Sequence, residues 1–123
     1  MGYRSDVGIA IMKTDFDNLI KLSKENGSYK LLQEADTIVE RDDRVILRFV
    51  SIKWYDGDKD VDFIIHFLNH IADGYGYIEI GEDYNDITSE YKDSENGLTF
   101  YDYVSLVREV YIPEGKEISL PAN

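Results

Sequence analysis

The chain has 123 residues, no cysteine, and 25 acidic against 13 basic side chains, for a net charge of -12. Its length is that of one domain, enough to bury roughly two-thirds of the surface that the unfolded chain exposes. Without cysteine there is no disulfide, no thiolate catalysis and no cysteine-ligated zinc or iron–sulfur site, and the acid excess disfavours bare nucleic acid, whose phosphates require clustered Lys and Arg.

The opening, MGYRSDVGIAIMKTDF, holds only six apolar or Gly residues between Val7 and Met12. That run is too short for a signal-peptide core or a membrane span, and Asp6 stands where a myristoylation signal wants Ser or Thr. A soluble protein with no address label is expected, compatible with the cytoplasm. Val7 to Met12 reads as a strand, and Thr14 as the N-cap of a helix carrying Phe16, Leu19, Ile20 and Ser23 on one face and ended by Gly27. Residues 28–36 are ambiguous between a short helix and a loop. TIVE and VILRFVSIKWY read as two strands around an Asp42-Asp43 turn.

SIKWYDGDKDVD (51–62) alternates Asp56, Asp58, Asp60 and Asp62. A calcium loop of EF-hand type counted from Asp56 needs Gly at its sixth position and Glu at its twelfth, where Val61 and Phe67 stand. The stretch is therefore expected to start a helix, with Asp58 or Asp60 as its cap and the other carboxylates near its positive end. Residues 61–72 place Val61, Ile64, Ile65, Leu68 and Ile71 along one stripe, widened by Phe63 and Phe67, and Gly74 closes the helix. GYIEIGE (76–82) reads as a strand, residues 87–91 as a short strand and Asn96-Gly97 as a turn. TFYDYVSLVREVYI (99–112) alternates over fourteen positions, as a long, bent strand would.

The order β, α, β, β, α, β predicts an α+β fold, a ferredoxin-like sandwich with a mainly antiparallel sheet and two helices on one face. Residues 1–112 form a single domain and 113–123 a flexible C-terminal tail. The other sheet face is left to solvent, to a ligand or to a second subunit, so a homodimer stays open.

The charge is unevenly spread. Residues 1–55 hold nine acids and nine bases; residues 56–102 hold thirteen acids against Lys59 and Lys92. Glu79, Glu82, Asp83, Asp86, Glu90, Asp93, Glu95 and Asp102 crowd one strand and the loop after it. Solubility explains part of such an excess, but self-repulsion destabilises the compact state, which points to a use: a basic protein partner, met as a nucleic-acid groove meets a row of phosphates. Six of the ten tyrosines, Tyr55, Tyr75, Tyr77, Tyr84, Tyr91 and Tyr101, lie in or beside this stretch. Tyr suits partly wet interfaces, although some of these edge the core. The expected partner-binding set is those eight acids with Tyr84 and Tyr91.

Other constellations are weaker. His66 and His70 have the i, i+4 spacing of two zinc ligands with Asp73 a turn further, but the Glu that follows the first His in zinc proteases is replaced by Phe67 and a solvated helix face is favoured. Arg4, Ser5 and Asp6 could approach Arg108 at a phosphate, against a surface ion-pair cluster. No nucleophile elbow, Walker loop or Rossmann fingerprint is present, so no catalytic residue, metal or cofactor is assigned.

GYRSDV at the start, IKWYD in the middle and YIEIGEDYNDI further on resemble a group of small uncharacterised proteins from bacteriophages and bacterial mobile elements, over most of residues 1–112. The resemblance carries no catalytic residue. It implies the cytoplasm of a bacterial host and a setting in which short acidic proteins bind and disable defence enzymes such as CRISPR effectors. The leading expectation is thus an anti-CRISPR or DNA-mimic-like inhibitor of a basic host defence or nucleic-acid-handling protein, contacting neither nucleic acid nor membrane and not an enzyme. The alternatives are a sponge for a nucleotide immune signal and, last, a metal-dependent enzyme using His66 and His70.

Overall fold

The structure is a computed structural model that describes residues 3–83, 85–107, 109–111 and 114–121. Tyr84 and Arg108 lie outside the described residues. The elements are β1 (Ser5–Met12), α1 (Lys13–Asn26), α2 (Tyr29–Gln33), β2 (Thr37–Arg41), β3 (Arg44–Ile52), α3 (Lys59–His70), β4 (Tyr75–Gly81), β5 (Ile87–Lys92), β6 (Ser105–Val107), β7 (Glu109–Tyr111) and β8 (Lys116–Glu117). Six strands form one antiparallel sheet in the order β5-β4-β1-β3-β2-β8, and β6 pairs with β7 apart from it. The protein is α+β, as expected.

β1 lies at the centre. Its Ile9 faces Leu47 of β3 on one side and Tyr77 of β4 on the other, and Val7, Ile9, Ala10 and Ile11 are fully buried. Because side chains alternate along a strand, β1 feeds two apolar layers. Val7, Ile9 and Ile11 join Val45, Leu47, Phe49, Tyr75 and Tyr77 in a cluster with helix residues Phe16, Leu19, Leu32, Val61, Ile64 and Phe67. Ala10 joins Ile46, Val39 and Ile78 in the second cluster, which Phe100 and Val104 complete.

Local chemistry fixes the connections. Asp42 and Asp43 both take positive φ, 52° and 66°, the turn whose twist matches a two-residue hairpin. Asp58 caps α3 as expected, its Oδ1 accepting the Asp60 N–H at 3.0 Å and the Val61 N–H at 3.4 Å, while Asp62 accepts the Gly57 N–H. Gly27 closes α1 in the left-handed region, and the Ser28 N–H reaches back to the Ser23 carbonyl at 2.8 Å. Residues 29–33 resolve to the short helix α2, held by buried Tyr29, Leu31 and Leu32.

Four expectations are corrected. Thr14 is not the cap of α1; β1 runs straight into the helix, Met12 occupies the cap position with no side-chain bond, and the Lys13 N–H finds the Asp43 carbonyl instead. Gly74 does not end α3, which stops at His70. A Cβ there would lie 2.7 Å from the Phe100 ring, so Gly74 is where the following loop packs down onto the chain.

The fourteen-residue strand does not form. The chain turns at Tyr101–Val104 and then makes the β6–β7 hairpin. A straight strand would send Asp102 inward with Phe100 and Val104; the turn buries those two and leaves Asp102 exposed. Finally, the tail segment is paired: Val39 faces Glu117, Glu40 faces Lys116, the Ile118 N–H bonds to the Ile38 carbonyl, and the Tyr29 hydroxyl donates to the Pro121 carbonyl. Strand β2 otherwise has a bare outer edge, and its unmet carbonyls recruit this segment.

Among the described residues no helix is long and apolar enough to cross a membrane. Truncating fully buried Phe100 to Ala should cost about 3–5 kcal/mol, seen as an earlier urea midpoint, whereas Asp58→Ala should cost only about 1 kcal/mol, the worth of a helix cap. Equal effects would place Phe100 outside the core.

Candidate functional site

The acidic segment forms β4, its turn, the edge strand β5 and the loop that follows. Its carboxylates are distributed around that edge in four settings. At the turn, Glu82, Asp83 and Asp86 gather around the N-terminal residues. The Tyr3 hydroxyl donates to Asp86 Oδ2 at 2.6 Å and accepts the Asp83 N–H at 2.9 Å, and the Arg4 N–H donates to Glu82 Oε2. The bond to Asp86 raises the Tyr3 hydroxyl pKa above its ordinary value. A Cβ at Gly81 would displace the Tyr3 hydroxyl and the Asp86 carboxylate from these positions.

In mid-strand, Glu79 and Glu90 are held by tyrosines of the core. Trp54 Nε1–H donates to the Tyr77 hydroxyl at 2.8 Å, which donates to Glu79 Oε1 at 2.6 Å. The Tyr75 hydroxyl lies within reach of Asn69 Oδ1 at 3.0 Å and Glu90 Oε2 at 3.1 Å. Partial burial pushes the Glu79 carboxyl pKa up, against the Tyr77 bond that lowers it, and burial first, then Glu79, pushes the Tyr77 hydroxyl up. Tyr75 and Tyr77 are thus core residues that touch the acids only through their hydroxyl tips.

Beyond β5, the Glu95 N–H bonds to Asp73 Oδ1 at 3.1 Å and the Asp73 N–H to Asp15 Oδ2 at 2.9 Å, so Asp93 and Glu95 share this end with two further acids. Desolvation raises the Asp15 carboxyl pKa. On the second face, the Tyr91 ring meets Tyr101 edge-on at 6.3 Å and donates its hydroxyl to the Val104 carbonyl at 3.1 Å, with Asp102 exposed beside them. The eight acids and Tyr91 are therefore brought to one edge but not to one face.

Among the described residues no ion pair involves any of these acids. Among the described residues the ion pairs are Lys13 with Glu40 and Arg41 with Asp42, both outside residues 56–102. Lys59 donates instead to the Asn26 and Gly27 carbonyls at the end of α1. Hydroxyls and backbone N–H groups hold the carboxylates in place without removing their charge.

Three residues of this site were missed in the sequence: Tyr3, Trp54 and Asn69. The lone Trp was the available signal, since a buried indole needs an acceptor and a hydroxyl on a neighbouring strand is one. Arg44 was also missed. It is buried with its guanidinium 4.2 Å from the Tyr103 ring and 5.4 Å from that of Phe100, and bonds to the Thr99 and Asp42 carbonyls.

The other candidates gain less. His66 and His70 stack with centroids 4.7 Å apart on an exposed turn, Asp73 is engaged with Glu95, and among the described residues no three potential ligands gather. Arg4 donates to the Ser51 carbonyl and lines an open groove of about 510 Å³ that also carries Glu34, Asp36, Asp58 and Asp60, four carboxylates that repel a phosphate. Compared with known protein families, curated proteins and solved structures, the chain matches none.

Because the Glu79 carboxyl has a higher pKa folded than unfolded, the native state holds its proton more tightly, and stability is lost as pH rises from the ordinary carboxylate value toward the raised one. Glu79→Gln keeps an acceptor for Tyr77 and removes this loss. Urea titrations across pH should show the variant gaining on the wild type as pH rises through that window. A constant difference would contradict the assignment. Tyr77→Phe should cost about 1–3 kcal/mol, because it strands the Trp54 N–H and Glu79 together.

Proposed function

We propose that this is a small acidic interaction protein of phage type, acting by binding and not by catalysis, which docks its acidic sheet edge on a basic groove of a host defence or nucleic-acid-handling protein in the bacterial cytoplasm. The observation that supports it is the scarcity of cations in the segment: eight carboxylates lie along and around one edge of the sheet with only Lys59 and Lys92 in residues 56–102, and among the described residues none of the eight has an ion pair within the chain. Like charges that stay unneutralised destabilise the fold, and a cationic partner recovers that cost. Exposed Tyr91 and Tyr101 beside them supply the apolar part of such a contact.

The scaffold we infer is a ferredoxin-like sandwich with its two long helices, α1 and α3, on one face. The strand order β4-β1-β3-β2 within the sheet supports it, as does the single cluster shared by the helices with Val7, Ile9 and Ile11. β5 and β8 then extend each edge.

Used as bait in bacterial lysate, the protein should capture a basic partner at low salt and release it at high salt, because contacts between exposed charges are screened. Replacing Glu82, Asp83 and Glu90 by Gln or Asn should abolish capture at low salt while circular dichroism stays unchanged. Capture indifferent to both salt and these substitutions sinks the electrostatic reading.

A further inference from the structure

The two edges of the sheet are treated differently. At one, residues 116–118 cover β2. At the other, β5 is exposed along all six residues and, among the described residues, pairs only with β4. Its orientation follows from one bond. The Gly81 N–H donates to the Asp86 carbonyl at 2.8 Å, so Asp86 faces β4 with its backbone groups, and in an antiparallel ladder every second residue does the same. Thr88, Glu90 and Lys92 therefore bond to β4. Ile87, Ser89 and Tyr91 turn their backbone groups outward. The Ile87 N–H is partly used by the Asn85 carbonyl at 3.1 Å; the Ser89 and Tyr91 N–H groups have no such contact among the described residues.

We infer that this edge is where two copies of the chain pair, antiparallel about a two-fold axis through Ser89, continuing the sheet from one copy into the next. An antiparallel two-fold pairing must match outward residues with outward residues, which leaves few registers. Centred on Ser89, Ser89 meets Ser89, Ile87 meets Tyr91, Thr88 meets Glu90, and Asp86 meets Lys92 of the second copy. Two opposite-charge pairs form, and the exposed Ile87 and Tyr91 cover one another on the second face. Centring on Glu90 sets Glu90 against Glu90 at the closest cross-strand spacing, and centring on Thr88 sets Asp86 against Glu90. Centring on Tyr91 matches only residues 90–92 within the strand. The Ser89 register is the longest with no like charges directly opposite; its like-charge approaches, Glu90 to Glu90 and Glu90 to Asp86 of the other copy, are diagonal ones about 7–8 Å away.

Each copy then donates its Ser89 N–H to the Ser89 carbonyl and its Tyr91 N–H to the Ile87 carbonyl of the other. An open, proline-free strand is otherwise a template for uncontrolled pairing, and a closed two-fold contact satisfies it once and stops. The pairing does not depend on the basic-partner reading.

The test is amide hydrogen exchange read by NMR on the full chain at low and high protein concentration. Thr88 and Glu90 amides should be protected at both, while those of Ser89 and Tyr91 should slow by about tenfold or more only when concentrated. Sedimentation should give twice the chain's 14.2 kDa under the concentrated condition. Ser89→Pro removes an outward N–H that β4 does not use, so it should give a folded monomer. Lys92→Glu, which sets an acid opposite Asp86, should weaken the dimer without touching the backbone. A mass of one chain at every concentration, Ser89 and Tyr91 amides that exchange fast throughout, or a dimer that survives both substitutions would overturn the proposal.

Discussion

The structure depends on burying β1 from both sides. A central strand with no exposure along Val7, Ile9, Ala10 and Ile11 requires an apolar layer above and below it, and 123 residues allow little chain for either. Ile9 clusters with residues of the helices, and Ala10 clusters with Phe100 and Val104. Gly76, opposite Ala10, is part of the same constraint. A Cβ there would lie 2.8 Å from Val104, so the second layer packs directly on backbone.

Assigning Phe100 and Val104 to the second layer determines what is left outside. The face anticipated as free for solvent, ligand or subunit is filled in part by the chain itself, with β7 near β1 and β4. The sheet edge at β5 stays open. That edge carries the acidic segment because β5 follows β4 in the chain and pairs beside it, with no strand beyond it among the described residues.

The acids are organised by neutral donors. Tyr3, Tyr75 and Tyr77 orient Asp86, Glu90 and Glu79, and backbone N–H groups orient Glu82 and its neighbours. A lysine in any of these places would lower the repulsion more effectively, at the cost of cancelling the charge. Hydroxyls fix direction and keep the sign. The raised carboxyl of Glu79 shows the energetic consequence, since its desolvation is only partly offset by the Tyr77 bond.

Local patterns in the sequence determined much of this. Asp58 starting α3, Gly27 ending α1, the Asp42-Asp43 hairpin and the β-α-β-β-α-β order each rest on chemistry within a few residues, where spacing and backbone preference speak directly. The concentration of acid between residues 56 and 102 was equally legible, because charge is additive along a chain. Only the tertiary structure decided which tyrosines are core, that Trp54 bonds to Tyr77, that Phe100 and Val104 break an apparent strand, and that residues 116–118 close one edge while β5 stays bare. Each of those turns on contacts between residues distant in sequence, where burial competes across the whole sheet and alternation within one segment carries no information about what will lie on top of it.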